Sequence, residues 1–352
     1  MQAMLGCGHR VLACASGASA PVQAKLAELG VRYIDVTLQR TGLNPMHDLG
    51  CLRSLIELLR AERPDMVLAY TIKPILYGGL AARLAGVPAF FAMIEGVGYA
   101  FAGRGRTARL AGLVARPLYR LSLAGAKRVF FLNPDNLALF LQLGLLREQQ
   151  AALIDGIGID LEEFQPAPLP ELPSFLLIAR LITSKGIAEY ADAARMVKAK
   201  YPEARFRLVG WIDEHPEAVC ATDLQAWIEE GTIDYLGRLD DVRPAIADCS
   251  VYVLPSHHEG LPRTVLEAMA MGRAIVTTDA PGCRETVVPG ENGLLVPVGD
   301  VAALAAAMES FLQQRERIER AGSASRALAV RRFDVHAVNR EILRIMRLDG
   351  SP

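Results

Sequence analysis

The 352-residue sequence carries a net charge of only -1, contains no C-x-x-C among its six cysteines and has no Asp-x-Asp anywhere. Nor does any apolar run approach the roughly 20 residues that a bilayer-spanning helix needs. Each gap removes a class of function. Near-neutrality argues against a general nucleic-acid binder, which needs a basic excess to meet phosphate. The cysteines, at positions 7, 14, 51, 220, 249 and 283, are scattered, which fits reduced structural thiols in the cytosol rather than a disulfide framework. Without Asp-x-Asp, the common carboxylate-held metal site has no ligand set. His257 and His258 are adjacent but lack a third ligand at helical spacing, so they do not make a zinc site. Neither a metal nor a dedicated cofactor is expected. No G-x-G-x-x-G follows a first strand with an acidic residue at the right distance, which argues against a dehydrogenase.

What is present is a chain 51% hydrophobic, long enough for two domains with a core in each. Its first half alternates β-rich runs (10–15, 33–36, 66–70, 89–93, 128–132) with helical stretches at 48–62, 75–85 and 107–123. Such alternation predicts a parallel sheet covered on both faces. Four prolines between Phe164 and Pro173 forbid helix or sheet, and this segment reads as a linker. Strand and helix then alternate again, with strands at 175–179, 205–209, 233–236, 251–254, 274–278 and 293–296, and helices dominate from 301 to 348. The expected division is 1–163, a linker at 164–173, a second domain at 174–333 and a terminal helical segment at 334–352. The first residues, MQAMLGCGHR, read as the tail of an amphipathic helix before a strand. VLACASGASA resembles a signal peptide only in part, because its positive charge is too slight and its apolar stretch too short.

The most informative stretch is 251–297, VYVLPSHHEGLPRTVLEAMAMGRAIVTTDAPGCRETVVPGENGLLVP. It predicts a buried strand, a turn carrying Glu259, a helix starting at Pro262 and bearing Glu267, a second strand, and a loop ending in Arg284-Glu285. Proline suits a first helical turn, so the amides of Gly260 and Leu261 should project from a helix N-terminus, where anions bind. Carboxylates do not hold phosphate. Glu259 and Glu267 therefore read as acceptors for hydroxyl groups, and an anion cradle between two hydroxyl acceptors suits a nucleotide sugar.

With the PS-x-x-EG turn, the two glutamates eight apart, EAMAMG and RETV-x-x-G-x-NG-x-LV, the chain resembles the family-4 retaining glycosyltransferases of α/β GT-B fold. The resemblance extends over nearly the whole chain. It implies two Rossmann-like domains facing across a cleft, with the last helix crossing back to the first domain. Its further implication is one more strand before the helix tail at residue 1, hence an upstream start or a truncated chain. Glu259 would contact the donor sugar and Glu267 the ribose, and Glu285 would either lie near the donor or form a structural salt bridge with Arg284.

Transfer from a nucleoside diphosphate requires stabilisation of the departing charge by a metal or by fixed cations and amides. LLIARLITSKG puts Arg180 after a strand and Lys185 at the next helix start, the wrong end for the macrodipole unless an anion sits between. By resemblance both are assigned to the leaving diphosphate. In IDGIGIDLEEF, Gly156 and Gly158 either permit close backbone approach to diphosphate or acceptor, or simply mark a turn, with Asp160 a capping residue. AYTIKPILYGG and EGVGYAF resemble a subgroup that builds bacterial surface polysaccharides on a lipid carrier. There Lys73 would contact a lipid diphosphate or the donor, and Glu95 would either pair with Lys73 or bind acceptor hydroxyls. Asn133 and Asp135 read as cleft-lining or helix-capping residues.

Arg104, Arg106, Arg109, Arg116, Arg120, Lys127 and Arg128 fall in a stretch with no acid, 96–134, beside Leu110, Leu113, Val114, Leu118 and Leu121. Such a helix either lies on an anionic membrane or presents an ordinary solvated face. The resulting expectation is a metal-independent, retaining transferase that uses a nucleotide sugar, UDP-linked by preference. Its acceptor would be a lipid-linked saccharide, and it would act at the inner face of the cytoplasmic membrane. Two rivals stay open: a GT-B sugar-nucleotide epimerase, and a catalytically silent partner of another transferase.

Overall fold

A computed structural model describes residues 1–37, 45–98, 106–212 and 215–349. The chain divides into two compact units, Met1–Gly156 with Val338–Pro352, and Ile157–Ala337.

In the first unit, β1 (Leu12–Ala15) pairs in parallel with β2 (Arg32–Asp35), and β3 (Met66–Tyr70), β4 (Ala89–Ile94), β5 (Ala126–Phe131) and β6 (Ala151–Leu153) form a separate parallel sheet in that order. Parallel strands are normally covered on both faces and hence apolar throughout. β4 obeys, buried from Phe90 to Ile94. Its core joins Phe131, Phe140 and Tyr119, with the Phe140 ring edge-on to both neighbours at 5.2–5.3 Å. β1, β2 and β3 are only partly covered. The helix Pro45–Glu62 meets Ile72–Ala85 through a small cluster of Val36, Cys51, Leu55, Tyr77 and Ala81.

The second unit has one six-stranded parallel sheet, built from β7 (Ser174–Ile178), β8 (Arg205–Val209), β9 (Asp234–Tyr235), β10 (Val251–Leu254), β11 (Ala274–Thr278) and β12 (Gly293–Val296). The spatial order is β12-β11-β10-β7-β8-β9, so the winding reverses between β7 and β10. In doubly wound sheets ligands bind outside the carboxyl ends of the strands at that switch point. β7, β10 and β11 are buried along their whole length, and Phe175 stacks on Phe206 at 4.9 Å.

The break between units falls at Gly156/Ile157, ahead of the proline-rich stretch rather than within it. Prolines lack N–H groups, so their segment brings carbonyls without matching donors. Three arginines of the second unit supply donors to it. Arg326 donates to the Phe164 carbonyl (3.0 Å), Arg273 to those of Ala167 (2.9 Å) and Pro168 (3.2 Å), and Arg315 to those of Pro170 (3.2 Å) and Glu171 (2.6 Å). The segment is thus an integral strap of its unit. From Val338 onward the C-terminal helix, Val335–Met346, groups with the first unit, where the His9 ring donates to the Leu348 carbonyl at 2.8 Å.

Candidate functional site

The loops that leave β7 and β10 bring together residues far apart in sequence. After β7 the chain passes Arg180, half-buried, and makes a 3-10 turn, Thr183–Lys185, closed by Gly186 at φ 70°. A Cβ on Gly186 would stand 2.2 Å from the Pro255 carbonyl oxygen. Glycine there serves both the left-handed backbone and the close approach of the two loops. That approach sets the Lys185 ammonium 2.5 Å from Glu259 Oε1, and Ser256 Oγ donates to the same oxygen at 2.8 Å. Both ionic side chains are largely withdrawn from water, 19% and 12% exposed.

A third loop closes over them. Glu259 N–H donates to the Pro281 carbonyl at 2.9 Å, and Gly282, at φ 82°, would place a Cβ 2.4 Å from the Glu259 carbonyl. Cys283 lies buried beside this pair. Burial first, and then the Glu259 charge, pushes its thiol up to about 12, so it stays protonated.

The helix after the turn is Arg263–Ala270, and Pro262 is its N-cap with ψ 109°. The expected start is therefore one residue early, because proline's fixed φ also suits the extended residue before the first turn. Val265 N–H already bonds the Pro262 carbonyl at 3.1 Å, whereas the amides of Arg263 and Thr264 have no carbonyl within the helix to bond. Glu267 is buried on this helix and accepts from Arg263 Nε at 2.9 Å. Burial raises its carboxyl above the ordinary range, and Arg263 pulls part of that shift back. Glu285 sits in the single turn Arg284–Thr286, whose Arg284 donates to Asp279 at 2.6 Å.

Around this group, His257 Nε2 meets Glu189 Oε1 at 2.8 Å, which holds the Glu189 carboxyl below its usual range. The His257–His258 pair thus has a carboxylate neighbour, and among the described residues no three His, Cys, Asp or Glu side chains group as a metal site. Gly158 has a packing reason of its own, since a Cβ there would fall 2.5 Å from Val335 Cα. Gly156 is also left-handed, at φ 71°. Asp160 caps its turn through Glu162 N–H and Glu163 N–H, at 2.9 and 3.0 Å.

In the first unit, Lys73 lies in the first turn of Ile72–Ala85 and pairs with Asp48 at 3.0 Å, both side chains nearly buried. The alternative pairing with Glu95 is not the one formed. Asp48 also raises the Tyr77 phenol, after burial. Asn133 is a helix cap, its side chain accepting from Asn136 N–H at 2.8 Å. In the basic helix Arg106–Leu123, Leu113, Val114 and Leu121 are exposed beside Arg116 and Arg120. Arg120 donates to the carbonyls of Leu143 and Gly144. Arg104 and Tyr99–Phe101 lie outside the described residues, as do the side chains of Arg106, Arg109 and Leu110.

Sequence reasoning missed Asp48, Ser256 and Glu189. Only Ser256 carries a local signal, three residues before Glu259 in the same turn.

A Rossmann-type parallel sheet with an ion pair, Lys185 with Glu259, in the loops that leave the strands flanking its switch point, in a chain with a second α/β unit, is the architecture of the GT-B glycosyltransferases. "Glycosyl transferases group 1" matches residues 173–314 and "Glycosyl transferase 4-like domain" matches 1–154. The chain belongs to this glycosyltransferase family. It is 34% identical over 284 residues to the N,N'-diacetylbacillosaminyl-diphospho-undecaprenol alpha-1,3-N-acetylgalactosaminyltransferase of Campylobacter jejuni, covering 77% of this chain and 73% of that protein. It is also 25% identical to the UDP-Gal:alpha-D-GlcNAc-diphosphoundecaprenol alpha-1,3-galactosyltransferase of Escherichia coli, with 77% and 72% covered. Among solved structures, Anabaena HepE in complex with UDP-glucose superposes with a TM-score of 0.81 at 20% identity, covering 98% of this chain and 94% of that one.

Proposed function

We propose that this chain transfers a sugar, with retention and without a metal, from a UDP-linked donor to a saccharide carried on a polyprenyl diphosphate. The observation that carries this reading is the meeting of Lys185 and Glu259 in the loops that leave β7 and β10, beside the switch point. The relatives that act on undecaprenol-diphosphate saccharides support the substrate class.

In this reading Arg180, Lys185 and the amides around Gly260 and Leu261 hold the diphosphate, whose charge grows as the glycosidic C–O bond breaks. Glu259 accepts from donor-sugar hydroxyls and Glu267 from the ribose. Glu285 lies near the donor, and Gly156 and Gly158 shape the turn beside it. The acceptor oxygen attacks on the face the diphosphate leaves, and its proton passes to the departing phosphate oxygen. No separate base is required. Lys73, held by Asp48, meets a diphosphate of the donor or the lipid.

Work at the inner face of the cytoplasmic membrane follows from a lipid-borne acceptor, and the exposed Leu113, Val114 and Leu121 beside Arg116 and Arg120 suit shallow insertion among anionic lipids. No helix of the described residues is long and apolar enough to cross a membrane.

A panel of sugar nucleotides, read by hydrolysis to free nucleotide with and without a prenyl-diphosphate-linked saccharide, tests the reading. Acceptor-stimulated UDP release is expected. Interconversion of the donor sugar with no acceptor present would favour an epimerase instead.

A further inference from the structure

The meeting of Lys185 and Glu259 depends on two loops lying together, and a contact outside the pair helps to hold them. His257 stands two residues before Glu259, in the loop that leaves β10. Its N–H donates to the Ser184 carbonyl at 2.9 Å, inside the 3-10 turn that ends on Lys185. Its ring reaches past that turn to the helix Ile187–Lys198, where Nε2 lies 2.8 Å from Oε1 of Glu189 in the first turn. His257 thus holds the chain on both sides of Lys185, by its backbone before it and by its side chain after it.

Other ties of this turn run through the backbone. Thr183 N–H and Oγ1–H both donate to the Glu217 carbonyl, at 2.8 and 3.1 Å, and Val219 N–H donates to that of Leu181 at 2.9 Å. Such contacts set the path of the chain. The contact of His257 with Glu189 instead joins two ionisable side chains. That of Glu189 is only 17% exposed, and its carboxyl lies below the usual range because His257 donates to it, against the opposing cost of burial. A solvated glutamate would serve the helix dipole equally well at this place. The histidine from another loop therefore answers a need other than the helix's own.

That need is the placement of a cation. Lysine carries its charge on a flexible four-carbon stem, and an ammonium aids a departing anion most when its position is fixed in advance. In the proposed reaction Glu259 turns to the donor sugar, so the carboxylate now beside Lys185 is not its lasting support. Support must come from the turn beneath. Thr183–Lys185 is only three residues long and has no regular helix of its own to stiffen it.

We infer that Glu189 and His257 are positioning residues for the cation that meets the leaving diphosphate. Their contact locks the turn Thr183–Lys185 to the loop that carries Glu259, and it keeps the Lys185 ammonium in place after Glu259 has engaged the donor. Both act through Lys185, and neither touches the substrate. This assignment rests on the donor reading above.

The test measures turnover, donor KM and melting temperature in the full chain. The donor is whichever of UDP-glucose, UDP-galactose, UDP-N-acetylglucosamine and UDP-N-acetylgalactosamine wild type turns over fastest. Glu189→Ala and His257→Ala are each expected to lower turnover by about tenfold, the scale of a small misplacement of a catalytic group, with little change in donor KM. His257→Gln, whose amide can still donate to Glu189, should recover much of that loss. The double variant should be no slower than either single one, because the two residues act as a unit. On a Lys185→Ala background, Glu189→Ala should cost nothing more, since no ammonium remains to be aimed. Wild-type turnover in both alanine variants overturns the assignment. So does a full loss that persists on the Lys185→Ala background, which would give Glu189 a role of its own. Equal losses of turnover, donor affinity and melting temperature would mark a merely structural contact and overturn it as well. Should Glu189→Ala fail to fold, Glu189→Gln, equal in shape, carries the comparison: turnover severalfold slower supports the assignment and wild-type turnover overturns it. A wild type that releases UDP from none of the four donors refutes the donor reading first, a failure distinct from active wild type with unaffected variants.

Discussion

The C-terminal unit encloses its strands in one continuous six-stranded sheet. The N-terminal unit distributes its strands between a pair and a set of four, with β1, β2 and β3 half exposed. The polar residues follow the same contrast. In the C-terminal unit the ionic groups already answer one another, Lys185 with Glu259 and Arg263 with Glu267. In the N-terminal unit Lys73 pairs with Asp48 and Arg32 with Glu62, while Glu95 stands without a partner among the described residues. A site assembled on a complete sheet can be ordered by its own contacts. The partly covered sheet of the N-terminal unit has fewer buried strands on which to set such contacts.

The largest effect that would sharpen this comparison is expected from Lys185→Ala. Loss of a fixed cation at the leaving group should lower turnover by roughly a hundredfold to a thousandfold. It should also weaken UDP binding in calorimetry, and wild-type turnover would break the donor-site assignment. Glu267→Gln comes next. If its carboxylate accepts from ribose, UDP affinity should fall by about tenfold or more. Stability should move the other way. A carboxyl raised on folding favours the folded state when protonated, and that advantage is lost as pH rises through its folded value. The amide variant should therefore melt at the same or a higher temperature near neutrality, and wild type should gain on it as the pH is lowered. A variant that melts lower at neutral pH would mean that the Arg263 pair outweighs burial.

Gly158→Ala is expected to destabilise the C-terminal unit by about 1–3 kcal/mol, from a strained left-handed alanine and a collision with Val335. A urea melt measures it. Unchanged stability would free Gly158 for a role in ligand approach alone. The smallest effect is on the N-terminal unit. Leu113→Glu should weaken sedimentation with vesicles of anionic lipid severalfold without altering UDP affinity. Equal sedimentation would leave the basic helix as an ordinary solvated face.

Much of the C-terminal unit is legible from the sequence, because buried parallel strands such as 175–178 and 251–254 are short apolar runs bounded by turn residues. β9 is shorter than its pattern, Asp234–Tyr235 rather than 233–236, since an edge strand pairs on one side only. The helix at Ile72 begins earlier than its pattern because Pro74 is tolerated in a first turn. The proline-rich segment misleads about the boundary for a tertiary reason, its carbonyls being matched by arginines 100 or more residues away. Partners across such distances leave no local trace. Lys185 and Glu259 are 74 residues apart, and Asp48 and Lys73 are 25 apart. Motif resemblance singles out members of these pairs, but the pairing itself is set by backbone packing, at Gly186 in the first case.

The contact between Lys185 and Glu259 carries a consequence for selectivity. A small inorganic anion entering there must win the ammonium from a carboxylate already seated on it, and it brings that carboxylate no cation in exchange. A molecule bearing both negative oxygens and adjacent hydroxyl groups can satisfy the two side chains at once. If the donor binds here as proposed, phosphate and chloride should compete poorly and the intact sugar nucleotide should be held better than its fragments.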